Sequence, residues 1–212
     1  MTIMDENKLL PIFPLNAVLF PGGVLPLRVF EPRYTDMISE CLRSSAEFGV
    51  CLIARGKEVG EPAEPELVGC RARIVDWNME QLGLLQISTL GTTRFRILES
   101  STSSAGLVRA RVEDIEAEAP SKLPASMHAC GALLTRIIDQ LSKEAGETID
   151  EHRFPIAKPY RLDDAGWVAN RLCEILPISL TAKQKLMELT DAATRLALVH
   201  QHLVQHKIIG NN

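Results

Sequence analysis

In the first half of the chain the apolar residues come in short runs cut by proline and glycine, and several runs alternate with polar positions. Val108, Ala110 and Val112 alternate with Arg109, Arg111 and Glu113, a period of two that puts one face of a strand in a core and the other in water. Cys70, Ala72 and Ile74 alternate with Arg71, Arg73 and Val75, and Phe95 and Ile97 with Arg94, Arg96 and Leu98. These patterns predict strands over 108–112, 69–77 and 92–98, with several arginines sharing outward faces. From Leu9 to about Ala117 the runs and their turn residues describe a mostly antiparallel barrel or sandwich. One helix interrupts them. Pro32 suits a first helical position, Glu31 and Asp36 favour the positive end of the helix dipole, and Tyr34, Met37, Ile38, Cys41 and Leu42 repeat at three and four. This helix is expected across the end or side of the sheet. The stretch 56–65, with three glutamates and two prolines, reads as a mobile surface loop.

After Pro120 the period becomes helical. Met127, Cys130, Leu134, Ile137, Ile138 and Leu141 form one stripe, with Gly146 placed to end it. A second helix runs from Asp163 or Asp164, either a suitable N-cap, through Trp167, Val168, Leu172, Ile175 and Leu176 to Pro177. A third begins at Thr181, spaced from Gln184 as in a capping box, and carries a long stripe of Leu189, Ala192, Leu196, Val199 and Leu203. Three amphipathic helices can bury one another as a small bundle. The change of period divides the chain into residues 1–118 and 119–212, an α+β organisation of a β-rich domain with one inserted helix followed by an α-helical bundle.

Composition narrows the function classes. The 212 residues suffice for a core without staples. Through Glu118 there are 12 basic residues against 17 acidic, and beyond it 11 against 10, so neither part is a polyanion binder by bulk charge. Cysteines 41, 51, 70, 130 and 173 are odd in number and widely spaced, without a C-x-x-C pair, and read as buried thiols of a reducing cytoplasm. Residues Met1 to Lys8 lack a signal-peptide pattern, and no run approaches the length of a membrane helix. A cytoplasmic location is the expectation.

Five prolines punctuate Leu10 to Tyr34 in a distinctive order: Pro11-Ile12-Phe13-Pro14-Leu15, Val18-Leu19-Phe20-Pro21-Gly22, Leu25-Pro26-Leu27 and Phe30-Glu31-Pro32-Arg33-Tyr34. Downstream follow Phe48-Gly49-Val50, Val68-Gly69-Cys70, Gly91 with Arg94-Phe95, Leu176-Pro177, Lys183-Gln184 and Leu189. Together these resemble the N-terminal, substrate-recognition domain of Lon proteases over nearly the whole chain. The resemblance implies a PUA-like pseudo-barrel followed by a helical bundle, involved in recognising polypeptide substrates or partner proteins. Two local stretches depart from the family pattern, Met79 to Gly83 and Leu107 to Ala110. The ATPase part of a Lon protease has no counterpart: the only Gly-Lys pair, Gly56-Lys57, precedes Glu58 and follows no glycine at Cys51, so no phosphate-cradling loop can form.

Catalytic chemistry finds little support. No G-x-S-x-G run is present. The histidines are at 128, 152, 200, 202 and 206; His202 and His206 have the helical spacing of a metal pair, but no third ligand completes a set. The expectation is a non-catalytic protein-recognition module with no catalytic residue, cofactor or metal. Its partners are unfolded or partner polypeptides and a separate protease, with no membrane. The groove lies either at the corner formed by Phe30, Glu31, Arg33 and Tyr34 or between barrel and bundle. For Glu31, Arg33 and Tyr34 the competing reading is structural: helix initiation, an ion pair and sheet packing. An RNA-binding module using Arg94, Arg96, Arg109 and Arg111 is the alternative, disfavoured because no aromatics interleave with the arginines for base stacking.

Overall fold

In the computed structural model, which describes residues 9–81, 83–146 and 154–210 except the side chain of Glu80, the chain divides into two compact units, 1–116 and 117–212. The first contains β1 (Leu10–Leu15), β2 (Val24–Val29), α1 (Pro32–Ser44), β3 (Phe48–Arg55), β4 (Glu64–Pro65), β5 (Val68–Gln81), β6 (Leu84–Thr102) and β7 (Val108–Asp114). Strand β1 runs parallel to β3 and antiparallel to β7, and the series β7, β6, β5, β3 returns to β1, closing a five-stranded barrel. Of the barrel and the sandwich that the alternating pattern allows, the barrel forms. Strand β6 is long enough to serve three neighbours: β5 along one edge, β2 through residues 85–90 and β7 through residues 95–102 on the other.

The alternation seen in sequence is what the barrel buries. Ala110, Cys70, Ala72 and Phe95 have no more than 0% exposure, while Arg96, Arg111 and Glu113 face out. Arg94 departs from that expectation: it is buried at 4% exposure. Alternation chooses a face but does not say whether the face is covered. Tight packing also explains two glycines of the motifs. A Cβ on Gly91 would lie 2.3 Å from the carbonyl oxygen of Phe20, and one on Gly69 2.5 Å from the Val50 carbonyl oxygen, both inside contact distance.

Helix α1 buries Tyr34, Met37, Ile38 and Cys41 on its apolar stripe, each large apolar side chain contributing roughly 1.5–3 kcal/mol. Pro32 occupies the first turn and Ser45, in the left-handed conformation, ends it. Glu31 stands at the N-cap without capping through its side chain. The stretch 56–65 lies at the surface, as expected, and makes three contacts: β4 pairs with β3, Gly60 accepts a hydrogen bond from Arg33, and Glu58 accepts from Asn16.

The second unit holds a 3₁₀ turn (Ala125–Met127), α2 (His128–Ala145), α3 (Ala165–Ile175), α4 (Leu180–Glu188) and α5 (Ala192–Gln205). Asp164, not Asp163, caps α3, accepting from the N–H groups of Gly166 and Trp167. The long third helix expected from Thr181 is two helices, and its cap is Ser179 rather than Thr181. The apolar stripe passes across the break at 189–191 because two polar groups make that break favourable. Asp191 caps α5 at the Thr194 N–H. Arg195, 1% exposed, donates to the carbonyl oxygens of Leu186 and Leu189, which α4 leaves without helical partners. The same guanidinium pairs with Glu118 and donates to Asn170 Oδ1 at 3.1 Å. Glu118, assigned to the first domain by the change of period, makes these bonds within the second unit. Arg171, also fully buried, pairs with Glu174 at 2.8 Å. Among the described residues no helix is long and apolar enough to cross a membrane.

Candidate functional site

The first unit carries a surface pocket of about 260 Å³ at the corner where β2 runs into α1. Its apolar wall comes from Phe13 and Leu15 of β1, Leu27 and Val29 of β2, and Tyr34 of α1; Phe30 and Val59 stand at its margin, 54% and 55% exposed. Arg28, Glu31 and Glu58 supply the charged groups among its lining residues. The floor is an aromatic stack, with the rings of Phe13 and Tyr34 4.0 Å apart and 19° from parallel, a contact that adds to the area buried.

Arg33 builds one side of this corner from behind. Its guanidinium is almost wholly buried and donates to Glu31 Oε2 at 2.8 Å, to the Gly60 carbonyl at 2.8 Å and to the Gly106 carbonyl at 3.1 Å. It lies 4.7 Å from the centre of the Tyr34 ring, within cation–π range. One residue therefore ties the start of α1 to the 56–63 segment and to the β6–β7 turn, and so sets where Val59 and Glu58 stand. Asn16 holds the other side of that segment more loosely, donating to the Glu58 carboxylate at 3.3 and 3.4 Å. Tyr34 is only 4% exposed as a residue, and its hydroxyl is not among the buried polar atoms left unpaired. Burial pushes its phenol above the ordinary range; Arg33 opposes the shift and the carboxylates of Glu31 and Glu58 add to it.

The four residues singled out in sequence thus fall into two kinds. Phe30 is open to solvent, whereas Arg33 and Tyr34 are buried and Glu31 is half-buried against Arg33. The structure brings all four to one corner and adds Phe13, Leu27, Arg28, Glu58 and Val59, which the sequence reading left out. The signal that could have found Val59 is its isolation, the one branched apolar residue between Gly56 and Gly60.

Of the four arginines of the alternative reading, Arg96 faces out and the others are buried or paired. Arg94 is buried, Arg111 pairs with Glu99 at 2.8 Å, and Arg109 is 3.7 Å from Glu40. The rings of His202 and His206 meet at 4.1 Å on the last turn of α5, and no group of three metal-ligating side chains occurs among the described residues. His152, Leu82 and Met1 to Lys8 lie outside those residues. All five cysteines are free and buried. Burial raises the thiols of Cys41 and Cys130 to about 11 and that of Cys173 to about 12, and raises Cys51 as well, which makes them poor nucleophiles.

A closed barrel with a pocketed corner, followed by a helical unit, is a mixed α+β architecture, and comparison with known proteins places it. The model of the ATP-dependent protease La (LON) substrate-binding domain matches residues 9–205, and the chain belongs to that family. Lon protease 2 of Myxococcus xanthus is 29% identical over 201 residues, 92% of this chain and 23% of that protease; the chain therefore spans under a quarter of this curated relative. The crystal structure of a Lon N-terminal domain protein from Xanthomonas campestris superposes with a TM-score of 0.72 at 32% identity, covering 90% of this chain and 96% of that one. The N-terminal domain of Lon protease from the Mycobacterium avium complex has the same fold, with a TM-score of 0.64 at 20% identity, covering 94% of this chain and 100% of that one.

Proposed function

We propose that the chain is a non-catalytic recognition module that binds exposed apolar segments of polypeptides at the Phe30–Tyr34 corner. The observation that carries this reading is the apolar pocket itself, with the exposed ring of Phe30 on its margin, in a member of a substrate-binding domain family. At about 260 Å³ the pocket falls below the usual range for small-molecule and cofactor sites, roughly 300–1,000 Å³, and suits a single large side chain. Filling it contributes about 2–3 kcal/mol, too little for tight binding alone. Recognition at this corner is therefore weak per contact and tolerant of sequence. The clients are unfolded chains, and an ATP-dependent protease is the partner that would act on them.

The test is anisotropy of a labelled, permanently unfolded polypeptide titrated with the protein at physiological salt, with single-stranded RNA as competitor. Phe30→Asp places a charge at an exposed site and is expected to weaken binding at least tenfold with the fold intact. Binding that is unchanged in Phe30→Asp, or displaced by RNA alone, overturns the assignment.

A further inference from the structure

The strand beside the pocket has an edge that no described strand covers. β2 pairs only with β6, and the phase of that ladder is fixed at its start. The Gly91 N–H donates to the Gly23 carbonyl and the Gly22 N–H to the Gly91 carbonyl, both at 2.8 Å. Counting by two from Gly91, Thr89, Ile87 and Leu85 turn their backbone groups toward β2, and their partners Leu25, Leu27 and Val29 turn theirs toward β6. The backbone groups of Val24, Pro26 and Arg28 consequently lie on the opposite, uncovered edge. Pro26, the residue with no N–H to lose, occupies one of these positions, as expected of an edge strand. Pro26 and Arg28 are both exposed, and Arg28 also lines the pocket.

Three groups able to pair outward therefore converge at one corner: the N–H and C=O of Arg28, and the hydroxyl of Tyr34, a pocket-lining residue whose hydroxyl is not among the buried polar atoms left unpaired. Each matches the donors and acceptors that an extended peptide repeats along its backbone. The charges match as well. Glu58 and the half-buried Glu31 on the lining disfavour a polyanion, whereas the Arg28 cation and the Glu58 anion together suit a chain that carries both signs.

We propose that an extended polypeptide binds here as a short added strand on β2, its backbone hydrogen-bonded to the N–H and C=O of Arg28 and to the Tyr34 hydroxyl, with one large apolar side chain in the pocket. This inference rests on the pocket being a polypeptide site and adds the mode of binding. Backbone pairing of this kind supplies affinity that ignores sequence, and the pocket supplies the one residue preference. Pro26 stops the ladder after a single residue of β2, because the next outward position offers no donor.

The experiment uses the full chain and a set of extended, labelled peptides with a central phenylalanine. Replacing that phenylalanine by alanine is expected to weaken binding about tenfold or more. N-methylation scanned along the peptide backbone is expected to weaken binding about 2- to 12-fold at alternate residues only, the effect of losing one net hydrogen bond. On the protein, Tyr34→Phe is expected to weaken binding by a similar factor with the fold intact. Pro26→Val, which restores an outward N–H, is expected to tighten binding. If the phenylalanine matters but no N-methyl group does and Pro26→Val gains nothing, strand addition is overturned while the pocket stands as a polypeptide site. If neither phenylalanine nor backbone methylation matters, both readings fall together.

Discussion

The two units each bury an arginine against carbonyl groups, and they put it to opposite ends. In the helical unit Arg195 sits in the interior and satisfies carbonyls of Leu186 and Leu189, the Glu118 carboxylate and Asn170 at once. The helices turn there because a guanidinium can donate to the carbonyls at the end of α4. In the barrel the strands close on one another through a ring of ladders and a core that includes Phe48, Phe95, Ile12 and Ile38. Its Arg33 lies beside that core and braces two loop segments around a pocket. The contrast separates an interior that needs its polar hub from a surface feature that a polar brace positions.

The sharpest way to break that contrast is Arg195→Met. Removing one partner of a buried ion pair costs about 3–5 kcal/mol, and the loss is expected in the helical signal during denaturant unfolding. A cost below about 1 kcal/mol would make the hub incidental, whereas pairing the change with Glu118→Leu is expected to recover part of it. The barrel answers to a different insult. Gly91→Ala forces a Cβ against the Phe20 carbonyl and is expected to cost about 1–3 kcal/mol, read as lost hydrogen-exchange protection in barrel amides; full protection would show that the wall gives way freely. The smallest effect concerns the brace. With Tyr160 changed to Phe, Tyr34 is the only tyrosine, and its phenolate absorbance is expected to rise with a midpoint above the ordinary value of 10.0. Because the folded state holds that proton more tightly, the linked stability is complete below the ordinary pKa and is lost as pH rises through the raised one. Titration at the ordinary value would mean that the corner is wetter than its burial implies.

How much of this was legible depended on whether a feature was periodic. The strands at 69–77, 92–98 and 108–112 and the stripe of α1 announce themselves because burial on one face imposes a repeat. The break between α4 and α5 does not, since the apolar repeat from Leu189 to Leu203 continues across it; the cause is a cap at Asp191 and bonds from a side chain whose targets lie earlier in the chain. Arg94 misled for a related reason, its face being covered by neighbours no local pattern reveals. At the corner, Phe30 to Tyr34 were visible as one contiguous motif. Phe13, Leu27 and Val59 were not, because the fold brings them there from separate elements. The comparison with Lon substrate-binding domains supplies the family and leaves the choice of surface to be argued from the pocket.

The closure of β1 against both β3 and β7 also governs the order in which the molecule can be built. Residues 10–12 pair with residues 108–110, so the first strand of this unit waits for the last of the unit before the ring can shut. Until then its parallel partner β3 and the long β5–β6 hairpin can form only an open sheet, and ordering the loops between such distant segments makes the step slow. An unfinished barrel would expose the apolar edges that this module is proposed to recognise in other chains, making the nascent protein a substrate of its own kind.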